Sequence, residues 1–176
     1  DPYAAYVNDA GGMLNALASH WQTYNSGIAR DLVHLLSKRG NTRTGGIAWL
    51  SALCSTSIGY AFSSILNNDT TYTFPNPTYT WNLMVCAHEI GHNVGSWHTH
   101  DCVWSADPAY GFVGPGIDDC GVSAGYANAC SPPAPTPSSG TIMSYCHLTS
   151  SIILEFHNIV VSQALDPGIA YASCLS

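Results

Sequence analysis

Apolar positions crowd one uninterrupted stretch of this chain, "TYTWNLMVCAHEIGHNV" (78–94), which has no Pro and no Gly before Gly91. Apolar residues fall on every face of a helical projection, the pattern of a helix buried in the interior, and Thr78 is a plausible N-cap. Upstream, residues 3–24 carry Leu, Met, Ala and Trp at roughly helical spacing around Gly11-Gly12. That predicts a helix from about Asn15 to Tyr24. Three apolar runs read as strands: "DLVHLLS" (31–37), "GGIAWLSAL" (45–53) and "SIGYAFSSIL" (57–66). "NNDTTYTFPNP" (67–77) is a polar connection. Residues 99–139 lose periodicity and are rich in Gly, Pro, Ser, Ala and Asp. A stretch so long is expected to shape a site rather than merely connect. "SSIILEFHNIVVSQALDPG" (150–168) predicts a final helix, capped by Ser150 or Ser151 and stopped at Asp166-Pro167-Gly168. There are no internal repeats.

The length, 176 residues, suits one domain with a real core. Charged residues are only 9%, and 4 Lys+Arg against 11 Asp+Glu give a net charge of −7. That balance excludes nucleic acid and anionic membranes as main partners. No run of ~18 apolar residues exists to span a bilayer. The opening Asp1-Pro2-Tyr3 reads as a processed product or a trimmed sequence. Seven cysteines stand singly, without a C-x-x-C pair, which argues against a zinc ribbon and for disulfides in an oxidising, extracellular compartment. The number is odd, so at least one thiol is free or pairs outside the chain. Cys86, among apolar neighbours in the buried helix, is expected to be that thiol.

The same helix carries the chemistry. His88 and His92 stand four residues apart, so both imidazoles project from one face and can reach one metal. Glu89 is offset from that face. It is badly placed to ligate the ion but well placed to act as general base on a water there. A third ligand from the same helix would crowd one side of the ion. Gly95 can end the helix and turn the chain, so that His98 approaches from another direction. Three neutral histidines leave the fourth position open, the mark of a catalytic zinc site. A bare H-E-x-x-H occurs by chance, whereas H-E-x-x-H-x-x-G-x-x-H fixes five positions. A structural zinc with Glu89 as a spectator is the other reading, but burying an unpaired carboxylate there has a cost that function would explain.

This motif resembles the zinc signature of the metzincin peptidases. "SGTIMSYC" (139–146) resembles their Met-turn, with Met143 as its methionine. The passage from Asp31 to Ile65 resembles the adamalysin/reprolysin branch and its secreted bacterial relatives. The resemblance spans roughly residues 20–176. It implies an α/β (α+β) catalytic domain: an upper subdomain, 1–98, with a twisted mixed sheet and the active-site helix, and an irregular lower subdomain, 99–176, with the Met-turn and a C-terminal helix. It implies a zinc-dependent endopeptidase with one catalytic Zn2+, a secreted monomer that binds protein or peptide substrates in extended form. The disulfides it suggests are Cys54–Cys174, Cys102–Cys146 and Cys120–Cys130, with Cys86 free.

The chain departs from that branch in three ways. Thr99, not Asp, follows His98, and the nearest acid is Asp101. Tyr145 stands where the branch usually has Pro. In astacins and serralysins a tyrosine at that spacing can ligate zinc; the other reading is a tyrosine packed in the turn. Finally, the branch usually begins with a strand, a long helix and a further strand, a block this chain reads as lacking. Substrate is expected along the edge strand near 45–51, and the pocket beyond the scissile bond between the helix end and Tyr145–Leu148. His100 and His147 are expected at the surface or behind the ligands. His20, His34 and His157 are expected in packing, and Asp118-Asp119 at an acidic loop tip rather than on calcium. A reading of a different class is a zinc-stabilised, catalytically weak or inactive protein-binding module. The presence of Glu89 speaks against it.

Overall fold

A computed structural model describes residues 2–69 and 79–175. The chain divides into two compact units. The first holds the described chain up to Asp69, then Thr80–Gly95, then the chain from Gly168; the second holds Ser96–Pro167. Helices and a small mixed sheet make this an α+β protein of the kind expected.

In the first unit, helix α1 spans Ala10–Tyr24. It starts five residues before the expected Asn15 because Asp9 caps it: the Asp9 carboxylate accepts from the Gly12 N–H at 2.9 Å. Gly12 is part of that cap. A Cβ there would lie 2.5 Å from the Tyr6 ring and 2.6 Å from the Asp9 carboxylate. The glycine pair that reads as an interruption is therefore the first turn. The buried stripe Ala10, Met13, Leu14, Leu17 and Ala18 recurs at three- and four-residue steps and packs on Val33, Tyr60 and Phe62.

Three strands follow: β1 (Val33–Leu36), β2 (Gly46–Ala48) and β3 (Tyr60–Ser63). The order is β1-β3-β2, with β1 parallel and β2 antiparallel to β3, and Phe62 stands opposite both Leu35 and Ile47. β3 is buried throughout, as a central strand that reads as a continuous apolar run should be. The strands are shorter than the apolar runs predict. After Trp49 the chain leaves the sheet, with positive φ at Ser51 and Cys54. Its N–H groups turn to the last helix carbonyls instead: Ser51 donates to His92 O (2.9 Å), and Ala52 and Leu53 donate to Asn93 O (2.7 and 2.9 Å). Orphan carbonyls at a helix end thus outcompete further strand pairing.

Helix α2 spans Trp81–Val94. The expected cap, Thr78, lies outside the described residues. Thr80 fills the role, its side chain accepting from Leu83 N. Gly95, at φ 135°, ends the helix, and its N–H bonds to Gly91 O and His92 O. Cys54 and Cys174 are bonded as expected, and Cys86 is free.

The second unit is largely irregular and is held by two disulfides. Their pairing corrects the expectation: Cys102 bonds Cys130, and Cys120 bonds Cys146. The reason is Thr99. Its carbonyl accepts from Ile117 N and Asp118 N, while its N–H donates to Met143 O. The segment before Cys120 and the segment before Cys146 therefore flank the same residue, which brings those two cysteines together. Helix α3 (Cys120–Ser123) starts there.

The final helix is also shorter at its front than predicted. It begins at Asn158, where the His157 ring nitrogen accepts from Ile159 N at 3.2 Å. Residues 150–155 are tied instead to the Met-turn strand segment, by Gly140 N to Ser151 O and Ile142 N to Glu155 O. Nor does the helix stop at Asp166-Pro167-Gly168. A π-helical stretch, Val161–Leu165, widens the turns before Pro167, and helix runs on through Asp166–Ala170.

Candidate metal centre

On α2 the imidazoles of His88 and His92 meet edge to face, with centroids 4.8 Å apart and planes at 84°. His88 is buried and His92 partly so. The helix end that carries them is fastened from outside by the three N–H bonds from Ser51–Leu53. Asn93 adds two more, its Nδ2 donating to Trp49 O (2.8 Å) and Tyr60 O (3.1 Å). These five bonds fix the rotation of α2 about its axis, and so the direction of both rings.

Glu89 is buried to 4% exposure. Its carboxylate lies against Gly46 of β2: a Cβ at that position would stand 2.3 Å from Oε1. Its Oε2 has no hydrogen-bond partner among the described residues. Burial pushes its pKa up to about 8.

His98 follows Gly95 by three residues. Its backbone N–H donates to Asp101 Oδ2 at 2.9 Å, and its ring Nδ1 lies 3.5 Å from the same oxygen. Trp104 Nε1 donates to His98 O at 2.9 Å. His88 and His92 present two imidazoles from one face of α2, and Glu89 between them in sequence keeps a buried carboxylate oxygen without a hydrogen-bond partner among the described residues. Imidazole nitrogens with a base at hand are the donor chemistry of a zinc site, so these residues fit the ion.

Met143 is fully buried in the turn after Thr141, where Ser144 N donates to Thr141 O. Its carbonyl accepts both the N–H and the hydroxyl of Thr99, at 3.1 and 3.3 Å. Thr99 thus ties the segment after His98 to the turn at Met143. Tyr145 packs edge-on to His98 and His100, centroids 4.7 Å away in each case.

A sequence model of metallo-peptidase family M12, of reprolysin type, matches residues 1–156. The chain belongs to that family. No curated protein matches it. As an M12 metallopeptidase it acts on proteins, and the family implies zinc.

The other histidines of this metallopeptidase divide by environment. His100 is not at the surface: it is buried and stacked on His98 at 4.9 Å with planes 9° apart. His34, half-buried on β1, packs as expected and bonds Ser63 Oγ at 2.8 Å. His20, expected in packing, is exposed on α1 beside Tyr24. His157, expected in packing, is half-buried and also caps the last helix. Asp118 is buried, not a loop tip, and accepts from Cys120 N. Asp119 Oδ2 takes the Ser123 and Thr136 hydroxyls. Sequence reasoning missed Gly46, Asn93 and Trp104. Gly46 had a signal, a glycine pair opening a predicted strand, whereas the other two read as ordinary apolar or polar positions.

Proposed function

We propose that this M12 metallopeptidase is a zinc endopeptidase in which His88, His92 and His98 hold the ion and Glu89 is the general base. The observation that carries the reading is Glu89 itself, a buried carboxylate with one oxygen unpaired, one residue from His88. Left without purpose, such a group is a net loss to stability. Zinc, when bound, polarises the scissile carbonyl and acidifies water. Glu89 Oε2 takes the proton of the attacking water and delivers it to the leaving nitrogen. Burial raises the Glu89 pKa, and a bound dication would oppose that shift, which suits a carboxylate that must both accept and release that proton.

Among the described residues β2 pairs on one side only, so its other edge offers backbone groups to an extended peptide, next to the residue that makes room for Glu89. Internal cleavage follows from such a rail, which grips backbone and not chain ends. In this reading residues 1–98 supply ligands and base, and 99–176 supply the Met-turn around Met143. Three disulfides, with no described helix long and apolar enough to cross a membrane, suit a secreted enzyme.

The test is cleavage of casein beside zinc content. The native chain is expected to hold one zinc after dialysis against a low zinc concentration, and to lose both zinc and cleavage to a chelator. Glu89→Ala should keep the zinc and lose about 10²–10⁴-fold in rate. Glu89→Ala with undiminished cleavage would sink the base assignment. A native chain that holds zinc and cleaves nothing would favour the binding-module reading.

A further inference from the structure

We propose that His98, His100 and Asp101 form a second divalent-cation position, which zinc fills once the first is occupied and through which excess zinc restrains the enzyme. It borrows His98 from the site proposed above, but its existence does not depend on that site's catalytic role. The three side chains each offer a ligand atom, all within 4.8 Å of one another. Asp101 stands across both rings: Oδ2 lies 3.5 Å from His98 Nδ1 and Oδ1 lies 4.0 Å from His100 Nε2.

The second of these distances is too long for a hydrogen bond. Orienting His98 needs only Oδ2, which also accepts the His98 backbone N–H. Oδ1 is left facing an imidazole across a gap close to the ~3.3 Å that separates two ligand atoms on a tetrahedral ion. The His100 ring is held for the purpose. It lies over Gly121, where a Cβ would come within 2.3 Å of it, and it stacks on His98. Its Nδ1 is buried with no hydrogen-bond partner among the described residues, so Nε2 is the nitrogen that ring presents. A cavity of about 410 Å³ opens on these three residues and on Tyr126, Asn128 and Tyr145, and gives an ion its approach.

A neutral imidazole offers one nitrogen to a cation, and offers its second only by giving up the remaining ring proton. A second ion on His98 Nδ1 displaces the proton there to solvent and takes Asp101 Oδ2 for itself. The support that Asp101 gives the His98 ring is then lost, and ligands deprived of such support bind their ion less well. The bare Nδ1 of His100 lacks the partner that strong metal histidines have, which fits a weaker site filled only at higher zinc.

Equilibrium dialysis against rising zinc, with metal and protein measured on the same sample, tests this. The native chain should pass from one zinc per chain to two, and casein cleavage should fall over the second step. His100→Asn should stop at one zinc and resist the inhibition. The double variant His88→Asn/His92→Asn should still bind one zinc, and lose it when His100→Asn is added. Circular dichroism checks each fold. Should His100→Asn fail to fold, Asp101→Asn, read for stoichiometry alone, is expected to lose the second ion. A native chain that never exceeds one zinc overturns the proposal, as does a second zinc that survives His100→Asn. Either result leaves the catalytic reading untouched, because that rests on the first zinc and on Glu89→Ala.

Discussion

Thr99 gives both its N–H and its hydroxyl to the carbonyl oxygen of Met143, at 3.1 and 3.3 Å. Thr99 adjoins His98, so the turn at Met143 is bonded to the residue next to a proposed zinc ligand. Thr99→Val keeps the shape and the N–H bond and loses the hydroxyl bond. In a fully buried setting that should cost about 1 kcal/mol in a urea melt, since a neutral hydrogen bond is worth ~0.5–1.5 kcal/mol. Zinc affinity should fall about tenfold or more, in the range seen when support behind a ligand is removed. Unchanged affinity in a competitive chelator titration would show that the tether is structural only.

Thr99 also explains what the cysteines concealed. Four cysteines of the second unit allow three pairings, and spacing alone does not choose among them. The choice is made by backbone bonds from Ile117 and Met143 to one threonine, which no apolar period reports. The helix that carries His88, Glu89 and His92, and its end at Gly95, were legible because both signals are local: a run without Pro or early Gly, and one glycine bend. The three strands were legible from their apolar runs, with ends set too wide. The end of β2 was not, because the competitor for the N–H groups of Ser51–Leu53 is the end of α2, far away in sequence. The late start of the last helix has the same cause, residues 150–155 being drawn to the Met-turn segment. Peptide mapping without reduction should recover the Cys102–Cys130 and Cys120–Cys146 links. Cys120→Ser/Cys146→Ser should lower stability by about 2–4 kcal/mol.

His34 supplies a pH dependence away from the metal. Burial lowers its pKa from 6.5 to about 4. Between those values the unfolded chain binds more protons than the folded one, so this contribution to stability is present above pH 6.5 and is lost as pH falls towards 4. Its slope is bounded at about 1.4 kcal/mol per pH unit, and partial exposure of the ring reduces it. His34→Gln can still bond Ser63 but does not titrate. The difference in stability between the native chain and His34→Gln should therefore shift against the native chain on going from pH 7 to pH 4.5. A difference that stays constant with pH would mean that the ring takes up its proton as readily in the folded chain as in the unfolded one, and so is not buried in solution.

Gly46 gives the sharpest separation between holding metal and using it. The residue lies on β2 and makes no contribution of its own to a zinc site, yet a Cβ there would stand 2.3, 2.6 and 2.7 Å from three atoms of the Glu89 side chain. Its backbone needs no glycine, since its φ is not among the positive ones. Gly46→Ala should therefore fold, with the overpacking cost of about 1–3 kcal/mol relieved by moving Glu89 aside. The imidazoles of His88 and His92 are on a different part of the helix face and keep their places, so zinc content should stay at the native level. Cleavage should fall at least about tenfold, because a general base displaced by roughly 1 Å loses the alignment on which proton transfer depends. If Gly46→Ala lost zinc and activity together, the substitution would be acting through the fold of α2. If it kept both, the Glu89 carboxylate would have room to work elsewhere, and its position against β2 would have no bearing on the chemistry.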